Sequence, residues 1–206
     1  MYYKTIKRFL DIVFSFLLII FLIPLFLIIG VIIKINSKGP VLYTQKRIGK
    51  NNITFSCYKF RTMHPEANYL LKEILIKNPN FKNEFAETRK IINDPRITKI
   101  GKFLRFSSLD ELPQIVNVLK GDMSLIGPRP IVKSEIKKYG NHFKKVFSIK
   151  PGISGLWQVS GRNKLSYNKR VELDIFYSEN ISFRLDIKIF IKTILVILFP
   201  FEKGAF

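Results

Sequence analysis

The sequence predicts an α+β protein, mostly helical, in which an N-terminal membrane-embedded segment packs on one small domain carrying a β-hairpin and interfacial amphipathic helices. Three observations lead there. Residues Ile12 to Ile33 form a run of 22 residues without a charge, bounded by Asp11 and Lys34. Two β-prone stretches flank the turn sequence Gly49-Lys50-Asn51-Asn52. Beyond them, apolar residues recur mainly at helical spacing.

As a straight helix the apolar run would reach roughly 33 Å, enough to cross a hydrocarbon core of about 30 Å. Pro24 lies near its middle, where a missing N–H and a clash with the Ile20 carbonyl predict a bend or break. Lys4, Lys7 and Arg8 precede the run, and Lys34, Lys38, Lys46 and Arg47 follow it. The positive-inside rule is best met with both ends on the cytoplasmic face. The expected form is a re-entrant helix-break-helix segment over residues 1–38, with arms of roughly 16 Å dipping into one leaflet. A kinked helix spanning once is the rival topology. A cleaved signal peptide fits less well, because no small-residue cleavage site follows the run.

Asn36 to Pro40 reads as the exit turn, and residues 39–206 suffice for one cytosolic domain with its own core. Val41 to Lys46 and Ile53 to Phe60 are predicted as paired strands, with Lys59 and Arg61 at the end of the hairpin. Pro65 to Lys77 is predicted helical, and Asn78 to Lys90 a second surface helix or an excursion. A turn at Asn93 to Arg96 leads into helical spacing over Thr98 to Phe106, which delivers Arg105. Leu112, Ile115, Val116 and Leu119 continue the helical pattern and Gly121 stops it. Pro113 makes the turn around Asp110 irregular, with backbone N–H groups left for an anion. Arg170 to Tyr177 reads as helix. Leu185 to Phe201 is apolar but punctuated by Asp186, Lys188 and Lys192, as suits a helix on the bilayer surface or one packed in the core.

A formal charge of +20 demands anionic company. Lys and Arg are spread along the chain without zinc-finger spacing or an RNA-binding signature, so nucleic acid is not an expected partner. A single cysteine, Cys57, allows no intrachain disulfide. Walker A, G-x-G-x-x-G, H-E-x-x-H and G-x-S-x-G patterns are all missing, and His64 and His142 lack neighbours at metal-ligand spacing. Carboxylate and arginine chemistry remains.

That chemistry concentrates between Arg105 and Pro130, in R-F-S-S-L-D-E-L-P-Q and the later G-P-R-P. Asp110 and Glu111 are adjacent, so on a helix their side chains diverge by about 100° and take separate roles. One carboxylate attacks or accepts a proton, while its neighbour binds a divalent cation through oxygen, which suits Mg²⁺. Arg105 and Arg129 can hold phosphate oxygens through bidentate hydrogen bonds, and Pro128 and Pro130 stiffen the latter's loop. A plain structural alternative exists, because Ser108 and Glu111 also match the S-x-x-E capping box. Arg162 is a further candidate anion contact. Trp157 is a stacking surface or core packing, and Asp174 a polar ligand or an ordinary surface carboxylate.

Several long motifs in one order carry a resemblance: the apolar segment with its central Pro24, Y-K-F-R-T-M from Tyr58, N-D-P-R-I-T-K-I-G from Asn93, S-S-L-D-E-L-P-Q, G-P-R-P, and K-P-G-I-S-G-L-W-Q-V-S-G-R from Lys150. Together they resemble the bacterial sugar transferases, monotopic polyprenyl-phosphate hexose-1-phosphate transferases, most nearly the undecaprenyl-phosphate members using galactose or glucose. The resemblance implies that Asp110 is the nucleophile and that Glu111 binds Mg²⁺. It implies phosphate-binding roles for Lys59, Arg105 and Arg129, which extend by position to Arg61 and Arg162. The implied substrates are a UDP-sugar and undecaprenyl phosphate, joined by a two-step phosphoryl-aspartate route that releases UMP. The implied place is the cytoplasmic leaflet of a bacterial inner membrane, in exopolysaccharide, capsule or O-antigen synthesis; a homodimer is left open. The extra N-terminal portions of larger relatives are missing, so no built-in regulatory domain is expected. The contrasting expectation is a noncatalytic basic adaptor at the membrane, or a nucleic-acid binder.

Overall fold

A run this apolar must satisfy its backbone internally, and it does so as one α-helix, α1 (Tyr2–Asn36), in a computed structural model that describes residues 2–78, 81–82, 85, 91 and 93–199. Pro24 lies inside α1, which corrects the expected helix-break-helix division. Proline removes one backbone hydrogen bond, and the turns on either side retain enough of theirs to carry the helix through. Near its start, Arg8 donates to the carbonyls of Val118 at 2.6 Å and Leu119 at 2.9 Å, while Tyr3 and Lys7 reach Asp186. Near its end, Ile29 and Ile33 are buried with Phe60 and Leu104. Between these anchors Phe16, Leu17, Ile20 and Phe21 are exposed.

Strands β1 (Leu42–Ile48) and β2 (Thr54–Phe60) pair antiparallel, with Leu42 opposite Phe60 and Ile48 opposite Thr54. The expected hairpin is present. Its first strand runs on to Ile48 because that residue is buried and its N–H bonds the Ile131 carbonyl at 2.8 Å. Helix α2 (Ala67–Lys77) follows as expected, and the expectation for 78–90 falls mostly outside the described residues. Helix α3 (Lys99–Phe106) is capped by the Thr98 hydroxyl, which accepts the Gly101 N–H. A Cβ on Gly101 would lie 1.9 Å from the Thr62 carbonyl oxygen, so only glycine lets α3 press against the chain leaving β2.

After a 3₁₀ turn (Leu109–Glu111), helix α4 (Gln114–Lys120) ends at Gly121 with φ 91°. The irregular turn was foreshadowed by Pro113, but its donors are not all free for an anion. The N–H groups of Glu111 and Leu112 bond the carbonyls of Ser108 and Leu109. Strand β3 (Ser124–Ile126) pairs in parallel with β4 (Gly152–Ser154), a pairing unexpected from sequence because three-residue strands leave no periodicity. Short helices α5 (Ile136–Tyr139) and α6 (Phe143–Val146) lie between them. Helices α7 (Tyr167–Glu179) and α8 (Phe183–Leu198) close the described chain. Helix α8 buries Asp186, Ile189 and Val196 and exposes Phe183, Ile187, Phe190 and Ile194, the mark of an amphipathic helix with an apolar outer face.

One buried amide locks α4 to β2. Asn117, fully enclosed, accepts the Tyr58 N–H at 3.0 Å and donates to the Ser56 carbonyl at 2.8 Å, completing the strand edge that β1 leaves open. Asn117→Ala would leave both backbone groups buried and unpaired. A loss of about 2–4 kcal/mol is expected, read as a lower thermal midpoint of the purified protein.

Candidate active site

The Asn117 clip brings Lys59, on β2, beside the turn that carries Asp110 and Glu111. The Lys59 ammonium lies 2.6 Å from Glu111 Oε1 and 3.8 Å from Asp110 Oδ2. Arg129 Nη2 reaches the same Glu111 oxygen at 3.3 Å. Burial pushes the Glu111 carboxyl up, but Lys59 and Arg129 outweigh it through charge and hydrogen bonds and hold it well below the usual carboxylate range. Asp110 differs. Burial raises its pKa to about 6, against the pull of Lys59 and with the push of the ionised Glu111. Two neighbouring carboxylates are thereby divided into one firmly held anion and one loosely held, more basic group.

Backbone geometry sets this up. Chain direction changes at Ser108, whose φ is 60°, and its hydroxyl accepts from Arg162 Nη2 at 2.8 Å. Arg162 is itself left-handed, with φ 51°. The other described non-glycine residues with positive φ are asparagines, which tolerate it; Ser108 and Arg162 are the strained pair, and they bond one another. The capping-box alternative is not realised. Ser108 caps no N–H, and Glu111 turns to Lys59 and Arg129 instead.

Of the residues expected at the site, Lys59, Asp110, Glu111 and Arg129 come together directly. Arg105 donates Nε to the Thr62 hydroxyl at 2.9 Å, and its charge faces Asp110. Arg162 joins through Ser108. Arg61 stands apart: its guanidinium bonds the carbonyls of Lys38 at 2.7 Å and Ser37 at 2.8 Å, closing the end of α1. Arg47 is an addition. It donates to the Pro130 carbonyl at 3.2 Å and lines a small cavity with Lys59, Glu111, Gln114 and Arg129. In the sequence Arg47 is indistinguishable from the membrane-flanking cations around it; only its strand register, on the same side as Gln45, signals an inward position.

Behind Arg129 stands a buried support. Trp157 lies under the Arg129 guanidinium, 5.7 Å from ring centroid to charge, and Arg170 flanks the ring at 4.9 Å. Asp174 is fully buried, which corrects the surface-carboxylate alternative, and it accepts the Tyr139 hydroxyl at 2.8 Å. Burial pushes its carboxyl up to about 7, with Tyr139, Arg129 and Trp157 drawing it down. Its place on α7, three residues after Val171, gives the periodicity that could have identified it as inward-facing.

For a divalent cation, the described residues contain no group of three or more acidic, His or Cys side chains that would form a cage of protein ligands. Asp110 and Glu111 offer carboxylate oxygens in the number that Mg²⁺ takes when substrate phosphates and water complete its shell. Among the described residues, the hydrogen bonds to Glu111 fall on Oε1, which leaves Oε2 as a ligand atom. The donor set fits the ion.

A family model described as bacterial sugar transferase matches residues 2–200. The chain is 47% identical over 195 residues to an uncharacterized sugar transferase of Haemophilus influenzae, covering 95% of this chain and 41% of that protein. It is 45% identical over 195 residues to the undecaprenyl-phosphate galactose phosphotransferase of Salmonella typhimurium, again with 95% and 41% covered. Against the exopolysaccharide production protein ExoY of Sinorhizobium fredii, identity is 43% over 188 residues, with 91% and 83% covered. The chain thus spans about two fifths of the first two relatives, 41% of each, and most of the third. Matched almost from end to end by the family model, the chain belongs to the bacterial sugar transferases.

Proposed function

We propose that the chain transfers a hexose 1-phosphate, galactose or glucose phosphate by preference, from a UDP-sugar to undecaprenyl phosphate in the cytoplasmic leaflet. The observation that carries this reading is the unequal carboxylate pair: a buried Asp110 with a pKa near 6 beside a Glu111 held ionised by Lys59 and Arg129. An Asp110 oxygen attacks the sugar-bearing phosphorus, the bond to the UMP oxygen breaks, and UMP leaves. An oxygen of undecaprenyl phosphate then attacks the same phosphorus and frees the Asp110 carboxylate, giving undecaprenyl-diphosphate sugar. A carboxylate with a raised pKa is ionised at neutral pH yet more basic than an ordinary aspartate, as a nucleophile requires.

Arg105, Arg129 and Lys59 are disposed to neutralise the diphosphate as the two anions approach each other. Glu111, with Asp110 beside it, would hold Mg²⁺, which when bound draws charge from the phosphate oxygens. Arg162 and Trp157 fix the Ser108 turn and the Arg129 guanidinium from behind. The names of two relatives, one acting on undecaprenyl phosphate and galactose, the other in exopolysaccharide production, agree with this reading.

Helix α1 supports the membrane placement in this reading. A straight helix would hold Arg8 and Ile33 about 37 Å apart. Arg8 docks on Val118 and Leu119 while Ile33 shares a cluster with Leu112, and the stretch from Leu112 to Leu119 covers only about 10 Å. These contacts favour a helix bent at Pro24, with both ends on one face of the bilayer and the exposed Phe16 to Phe21 region in lipid. The apolar outer face of α8 fits the same surface. A soluble nucleotide sugar and a lipid phosphate then meet at one depth, beside Asp110.

Asp110→Asn should lower UMP release from UDP-galactose or UDP-glucose by about 10³-fold or more. With the wild-type protein, UDP-sugar and no lipid acceptor, hydroxylamine should capture an acyl phosphate at position 110, detected by peptide mass. Wild-type turnover in the variant would remove Asp110 as the nucleophile, no UMP release by the wild-type protein with either UDP-sugar would favour an adaptor, and failure to capture any adduct would favour a one-step transfer with Asp110 as base.

The rate should also follow Asp110 ionisation. Protonation removes the nucleophile, so the rate at subsaturating substrate should fall about tenfold per pH unit below pH 6 and level off above it. A rate that is flat between pH 5 and 7 would detach Asp110 from the rate-limiting step.

Chelation by EDTA should abolish turnover and Mg²⁺ should restore it, while Glu111→Gln should raise the Mg²⁺ needed for half-maximal rate about tenfold or more. Equal Mg²⁺ dependence in variant and wild type would remove the ion from Glu111.

A further inference from the structure

A second cavity, of about 110 Å³, shares no lining residue with the one at Glu111. Five cations line it: Lys4, Lys7 and Arg8 from α1, Lys50 from the hairpin turn, and Lys150 just before β4. Asp11 is the carboxylate in the lining, and it already accepts the Leu125 N–H at 3.0 Å. Lys7 is matched by Asp186, which lies outside the lining. Arg8 gives two of its five N–H donors to neutral carbonyls, so its charge is not offset by them and further donors remain. Arg8 Nη2 and Lys150 Nζ each lie 3.4 Å from the place where a Cβ on Gly121 would sit, which makes the two cations close neighbours. Burial and the charge of Arg8 accordingly lower the pKa of Lys150, with Asp11 and Asp122 partly offsetting them.

Ser124 supplies an independent sign. It lines this cavity, is only 2% exposed, and its hydroxyl finds no hydrogen-bond partner among the described residues. A buried hydroxyl without a partner is costly, and one facing a cationic cavity suits an oxyanion. The volume accommodates a tetrahedral phosphate, well beyond a single water.

Position then selects the source of the phosphate. Lys4, Lys7 and Arg8 immediately precede the uncharged run, and exposed Phe9 and Ile12 stand beside them on α1. The exposed Phe183 and Ile187 of α8 lie near by, since Tyr3 packs edge-on against Phe183. Given the membrane placement of α1 proposed above, this is the depth of lipid headgroups, where basic clusters draw anionic lipid. We propose that the cavity binds the phosphate of an anionic phospholipid, with Arg8, Lys150 and Ser124 as donors and Lys4 and Lys50 at the rim, as a site separate from the one that holds substrate. Such a lipid ties the base of α1 to the end of α4 and offsets the repulsion between Arg8 and Lys150.

The test uses the full chain, delipidated in neutral detergent, with phosphatidylglycerol, phosphatidylcholine or inorganic phosphate added, read by native mass spectrometry and thermal unfolding. Phosphatidylglycerol should remain as a single adduct and raise the midpoint by about 4 °C, and phosphatidylcholine should do neither. Lys150→Glu should weaken retention about tenfold, while Asp110→Asn should retain the lipid like wild type. Should Lys150→Glu not fold, the rim pair Lys4→Gln with Lys50→Gln should still lose retention about threefold. Equal retention of the two lipids, or wild-type retention in the charge variants, would overturn the site. A full shift from inorganic phosphate alone would assign the cavity to a soluble phosphate and overturn the lipid. Because lipid retention is read without turnover, this result and the transferase assignment stand or fall separately.

Discussion

The buried amide of Asn117 is the constraint on which the geometry of the candidate site rests. A helix and a strand edge do not normally share a hydrogen-bond ladder, because the helix has spent its backbone groups internally. Asn117 supplies an acceptor and a donor from its side chain and so acts as a fragment of strand lying beside β2. The consequence is registration. Lys59 follows Tyr58 by one residue, so the carboxylate turn ahead of α4 meets that ammonium at hydrogen-bonding distance. Gly101 does similar work on the other side, allowing α3 to approach the Thr62 carbonyl so that Arg105 is held on the Thr62 hydroxyl, where its charge acts on Asp110.

Within that frame, electrostatics turns one step along the chain into a division of labour. Glu111 receives two cationic donors and stays ionised; Asp110 receives a more distant ammonium, feels its ionised neighbour, and keeps its basicity. The division depends on a turn that no regular helix would provide. Left-handed Ser108 redirects the chain after α3, and left-handed Arg162 reaches across to hold it. Strain of this kind persists only where surrounding contacts over-determine it. Trp157, packed between two guanidinium groups, and the enclosed Asp174–Tyr139 pair supply such contacts behind the site.

Two helices carry exposed apolar surface. Helix α1 exposes its middle and packs at both ends, and α8 turns an apolar face outward. Cations gather around two cavities, one at Glu111 and one at Lys150. Part of the large positive charge of the chain is therefore gathered at two cavities, which the proposals above assign to phosphate groups, in addition to its surface.

Much of this was legible from residues alone. A turn between β-prone stretches and helical spacing are local signals, and each produced the element expected, while the uncharged run became helical without the expected division, because backbone hydrogen bonding and the burial of one face act over a few residues. The pair Asp110 and Glu111, with Arg105 and Arg129 near in sequence, was likewise readable as one cluster of carboxylates and cations. Other features depend on parts of the chain far apart. The parallel pairing of β3 with β4, the inward turn of Arg47, the diversion of Arg61 to the end of α1 and the burial of Asp174 follow from packing across 23 residues or more, which no local period encodes. Pro24 marks the same boundary from the other side: its missing hydrogen bond is a local certainty, yet the continuation of the helix was decided by turns on both sides and by docking at both ends. Residue type determined which chemistry was available; the folded chain decided which carboxylate is held by two cations and which keeps a raised pKa, because that difference is set by distances between charges that meet only on folding.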